Sequence, residues 1–125
     1  LGVGVEDLIR IALSSLATVE RRAVMPMLIE VMYESLVENL NGAQPPYPLD
    51  QLKLIADLIY PPCAIFFASG CITMIRNAER DPKITEDEKK ERVSVMLDKV
   101  IGCLEDMVTI DARNEEHMEK LKLLD

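Results

Sequence analysis

Glu30, Glu34 and Glu38 recur at every fourth residue, so on a helix they form a single stripe of carboxylates. A row of this kind is what a metal-dependent hydrolase or a di-iron bundle offers its metal ions. The same segment places Met25, Leu28, Ile29, Met32 and Leu36 on the opposite face. A carboxylate stripe facing away from the apolar side of a helix is ordinarily solvated surface. Di-iron bundles also need E-x-x-H pairs. The only histidine is His117, and residue 114, three before it, is Asn114. Glu88 and Glu91 give an E-x-x-E, but no E-x-x-D follows to complete the carboxylate set of an all-helical nucleotide pyrophosphatase.

Nucleophilic chemistry needs a base beside a Ser or Cys. His117, the sole imidazole, lies in the polar run "RNEEHMEK" and reads as a surface residue. Gly2 and Gly4 lie close to the first residue, and no glycine-rich phosphate loop occurs. Cys63 and Cys71 are eight residues apart, about 12 Å along a helix. That excludes a mutual disulfide, which needs Cα atoms within about 7 Å, and a shared zinc. Cys103 adds neither C-x-x-C nor C-x-x-H spacing. Three buried free thiols are expected, as in a reducing cytoplasm. No residue set calls for a metal or a cofactor.

Cys63 and Cys71 belong to "PPCAIFFASGCITMI", and no charge falls between Asp57 and Arg76. A membrane span needs about 18 apolar residues or more. Pro61 and Pro62 shorten the helical part, Ser69, Gly70 and Thr73 dilute it, and the flanks lack a basic cluster or aromatic belt. The stretch therefore reads as a central helix, apolar nearly all round and packed on most sides, rather than as a span.

These residues are carried by a chain of 125, enough for one domain with a core and too short for two ordinary ones. Net charge is −8 with no basic patch, which argues against binding nucleic acid. Hydrophobic residues make up 49% and aromatics 4%, with seven Met, a balance suited to helix–helix packing. In the first segment Val5, Leu8, Ile9, Ala12, Leu16 and Val19 share one helical face. A break is expected near Arg22 to Met25, because the apolar face turns by roughly 150° there and Pro26 suits a first helical turn. The second helix ends at Asn41–Gly42, and "NGAQPPYP" is a loop. A short helix from Leu49 to Tyr60 should stop at Pro61–Pro62, and another should run from there to about Arg80. Thr85 and Glu88 form a capping box for a last helix from Glu86 to Leu124, about 58 Å long if continuous. The expected fold is all-α: a single, bundle-like domain of four or five helices with a long C-terminal helix.

That last helix carries a heptad seam of Val93, Leu97, Val100, Leu104, Met107, Asp111, Asn114, Met118 and Leu121. Its apolar first half suits packing on the domain. Asp111 and Asn114 interrupt it, and Met118, Leu121 and Leu124 resume it, so these five residues are the candidate interface. The leading expectation is a non-enzymatic, self-associating interaction module in the cytoplasm, most simply a homodimer. Two rivals stand beside it: a small-molecule or lipid binder with an apolar pocket near Phe66 and Phe67, and a metal-dependent hydrolase using Glu30 and Glu34.

Overall fold

The computed structural model describes residues 4–122 and, within them, every side chain but that of Leu121. The described chain is all-α: α1 (Gly4–Ser15), α2 (Thr18–Asn39), α3 (Leu49–Arg80) and α4 (Glu86–Lys122), with no strand among the described residues. α3 and α4 run antiparallel. Asp57 meets Asn114 near one end of the pair, and Ala64 meets Cys103 further along. α1 lies along α3, and α2 follows across one side of the pair. The core is built from Val5, Ile9 and Leu13 of α1, Leu52, Ala56, Tyr60, Cys63, Ala64, Ala68 and Cys71 of α3, and Val100 and Cys103 of α4.

The first break lies at Leu16–Ala17, not near Arg22 to Met25. Its cause is tertiary. The Thr18 N–H donates to Asp98 Oδ2 at 3.3 Å, and the Thr18 hydroxyl donates to the Asp98 carbonyl at 3.0 Å. The start of α2 is thus capped by α4, while the Ala17 N–H donates to Glu20 at 3.1 Å. These bonds need a close approach of the two helices, and Gly102 permits it. A Cβ there would lie 2.1 Å from Thr18 Oγ1. Pro26 therefore falls inside α2 rather than in a first turn, and Val19, expected on the buried face, is exposed.

The second correction concerns α3, which runs unbroken through Pro61 and Pro62. Proline at position 61 has no N–H for the Asp57 carbonyl, its helical partner four residues back. Asn114 supplies the missing donor: its Nδ2 donates to the Asp57 carbonyl at 3.0 Å. The Asp57 carbonyl thereby has a donor that the helix itself cannot give it.

The third correction is one of phase. The face of α4 that packs inward is Val93, Met96, Val100, Cys103, Met107, Ile110 and Asn114, again at alternating spacings of three and four. Leu97, Leu104 and Asp111, expected in the seam, are exposed. α4 is continuous past Ile110, and its start carries the expected capping box. The Thr85 N–H donates to Glu88 Oε2 at 2.7 Å, and the Glu88 N–H donates to Thr85 Oγ1 at 3.2 Å.

Candidate functional site

Two features of this fold could act on other molecules, and they lie on opposite sides of the α3–α4 pair. The first is an apolar face. Leu58, Ile65 and Ile72 are spaced by seven and share one flank of α3; each is about half exposed. Leu97, Ile101, Leu104 and Val108 share one flank of α4, and all are exposed. The opposite flank of α4 carries Asp98, Gly102 and Asp106, which meet Thr18 and Arg21 of α2. Helical geometry and the antiparallel register bring the two apolar flanks together on the side away from α1 and α2. α3 is therefore not packed on most sides, as its composition suggested. It has one buried face and one open apolar face. By length and composition alone it is long and apolar enough to cross a membrane.

The second feature is a cleft of about 410 Å3 between α2, α3 and α4. Arg21, only 2% exposed, lies at its wall. Its Nη2 donates to Asp106 Oδ2 at 2.7 Å. Arg22 Nε donates to Asp106 Oδ1 at 2.7 Å, and Arg22 Nη2 donates to Glu105 at 2.7 Å. The bonds to Glu105 and Asp106 hold the Arg22 guanidinium above its ordinary pKa. Both oxygens of Asp106 are thus taken up. Arg21 Nη1 and the Tyr60 hydroxyl, both shut off from solvent, have no hydrogen-bond partner among the described residues. Burial pushes the Tyr60 phenol well above its ordinary range, so it remains a neutral O–H. Lys53 and Arg113 complete the polar wall, held by Glu30 at 2.9 Å and Asp57 at 3.0 Å. Met25, Ile29, Ala56 and Ile110 supply apolar wall.

The residues singled out in the sequence are placed as follows. Asp111 is exposed, and Met118 is about half exposed. Asn114 is buried, with its amide on the Asp57 carbonyl. Leu124 and the side chain of Leu121 lie outside the described residues. Glu30, Glu34 and Glu38 are exposed, and Glu30 is paired with Lys53. Among the described residues no group of three or more His, Cys, Asp or Glu is placed to hold a metal ion. Phe66 lies on the outside of α3 with the Arg10 guanidinium 5.3 Å from its ring centroid. Neither Phe66 nor Phe67 lines this cleft.

All three thiols are free and buried. Burial raises the pKa of Cys63 and Cys71, and raises that of Cys103 to about 11. Sequence reasoning missed Arg21 and Tyr60. Arg21 reads as a dipole-friendly charge in a last turn, and nothing local marks it as buried. A signal did exist in Glu105 and Asp106, the acidic pair on α4 that faces the only Arg–Arg pair in the chain.

Residues 1–115 match the DUF1679 family, described as "Uncharacterized oxidoreductase dhs-27". The chain belongs to that family. No curated protein and no solved structure matches it.

Proposed function

We propose that the chain is a non-enzymatic helical interaction module that self-associates through the open face of α3 and α4. The observation that carries this reading is that face itself: Leu58, Ile65 and Ile72 beside Leu97, Ile101, Leu104 and Val108. Side chains of this size, half exposed, amount to on the order of 600 Å2, the upper end of the largest patch on a typical monomer. One side of a standard protein interface is about 800 Å2. The occupant best suited to it is a second copy across a two-fold axis, where one patch serves both partners. Charge supports this. A chain of net charge −8 repels its copy over most of its surface, and the α3 side of this face has no charge between Asp57 and Arg76. Met118 and Asp111 would flank the interface, with Asn114 turned inward. The packing of Cys63, Ala64, Ala68 and Cys71 into the core supports α3 as a bundle helix rather than a span.

The family's description includes the word oxidoreductase. The residues here do not fit a dinucleotide or a reactive thiol. A dinucleotide crossover needs a strand feeding a G-x-G-x-x-G turn; the described residues form no strand, and the sequence has no such turn. Thiolate chemistry needs an accessible cysteine of lowered pKa, whereas these thiols are buried and raised.

Sedimentation equilibrium tests the proposal. The expected result is a concentration-dependent dimer that Ile65→Glu with Leu104→Glu converts to a folded monomer, since both positions are exposed. A monomer at every concentration refutes it, and so does a dimer indifferent to the double substitution.

A further inference from the structure

α2 is apolar on two sides. Its inner side packs on the core through Met25, Ile29 and Met32. On the outer side Val19, Ala23, Met27 and Val31 recur at every fourth residue, a row about 18 Å long. All four are exposed, Val19 at 77%, Met27 at 54% and Val31 at 49%. A surface helix of a globular protein carries one apolar stripe, and a helix apolar all round is one that is covered all round. Among the described residues nothing covers the outer row. We propose that this outer face of α2 docks a basic amphipathic helix of a partner protein.

Charge selects that occupant. Glu30, Glu34 and Glu38 lie on the same face as the apolar row and carry it on towards the end of the helix. Glu30 is held by Lys53 at 2.9 Å, whereas Glu34 and Glu38 are exposed and have no ion-pair partner among the described residues. No Lys or Arg occurs between Arg22 and Lys53, and the last turn of α2 has no basic residue. A helix C-terminus carries partial negative charge and favours a cation; here Glu38 adds to that charge instead. A Lys or Arg of the partner supplies the missing cation. A second copy does not suit this face. Its carboxylates would meet these, or would be buried without a partner against the apolar half. An anionic lipid surface is repelled. The exposed apolar area is on the order of 350 Å2, under half of the roughly 800 Å2 on one side of a standard interface. That suits a single helix, with apolar residues over Met27 and Val31 and cations over Glu34 and Glu38.

The test uses the full chain and a fluorescent peptide of about 14 residues, Leu and Lys in helical period, which spans about 21 Å as a helix. Its counterpart has Glu in place of Lys, and binding is followed by anisotropy. The expected result is saturable 1:1 binding of the Lys peptide, at least tenfold tighter than the Glu peptide. Met27→Ser should weaken it at least fivefold, and so should Glu34→Gln with Glu38→Gln. All three positions are exposed, so the variants keep the fold, which circular dichroism checks. Glu115→Gln with Glu116→Gln removes the same charge from exposed positions on α4 and should leave the affinity unchanged, as should Ile65→Glu with Leu104→Glu. The last control separates this face from the proposed dimer face, so either proposal can fail alone. Absence of saturable binding up to about 1 mM (about 4 kcal/mol) overturns the inference. So does an equal loss from the two Glu→Gln pairs, which would mean attraction by net charge alone. Loss of binding in Ile65→Glu with Leu104→Glu also overturns it, by placing the peptide on α3 and α4.

Discussion

Replacing Asn114 by Ala should expose how α3 tolerates an interior proline. Asn114 Nδ2 donates to the Asp57 carbonyl at 3.0 Å, where residue 61 would have donated had it not been proline. Asn114 is 9% exposed, so the amide that holds this carbonyl is itself largely shut off from water. A buried acceptor left without a partner costs about 1–3 kcal/mol. The neighbouring ion pair, Arg113 to Asp57 Oδ1, is largely exposed and contributes under about 1 kcal/mol. Asn114→Ala should therefore destabilise by about 2 kcal/mol. The decisive experiment is a double-mutant cycle with Pro61→Ala. Alanine at 61 restores an N–H to the Asp57 carbonyl, so Asn114→Ala in that background should cost only about 0.5 kcal/mol. Urea denaturation of the four proteins gives the coupling energy, expected at about 1.5 kcal/mol with unchanged slopes. If Asn114→Ala costs the same in both backgrounds, Asn114 does not substitute for the proline's missing donor.

Gly102→Ala should destabilise by about 2 kcal/mol or more in urea denaturation, since the added Cβ meets backbone-anchored Thr18 at 2.1 Å; a neutral result would remove the case for close approach of α2 and α4. Glu30→Gln with Glu34→Gln should change stability by no more than about 1 kcal/mol, because the only ion pair it breaks among the described residues is the exposed one with Lys53; loss of a bound divalent metal, seen by elemental analysis, would instead revive a hydrolase. Cys63, Cys71 and Cys103 should label slowly in the native state and fast in denaturant, and stability should fall as pH rises from about 9 to about 11. The sign follows from Cys103, which keeps its proton to about 11 when folded, whereas the unfolded thiol loses it near 8.5. Removing residues 115–125 should preserve the fold, whereas removing 111–125 also takes Asn114 and should cost a further 1–3 kcal/mol or so in the same denaturation assay.

Features that local chemistry controls were legible in the residues themselves. Helical periodicity without strand alternation made the chain all-α. The Thr85–Glu88 box set the start of α4, and Asn41–Gly42, both at positive φ, marks the turn beyond α2. The wide spacing of Cys63 and Cys71, both in an apolar stretch, pointed to unpaired buried thiols. Features that depend on a partner distant in the chain were set by packing. The break at Ala17 needs Asp98, the passage of α3 through Pro61 needs Asn114, and burial of Arg21 needs Asp106. Those groups lie more than fifty residues apart in sequence, and no local pattern couples them. The phase of α4 belongs to the same class. Two apolar stripes, one through Val100 and Cys103 and one through Leu97 and Leu104, run side by side on that helix. Either satisfies a heptad, and only the position of α3 and α2 against α4 selects which is buried and which is left exposed.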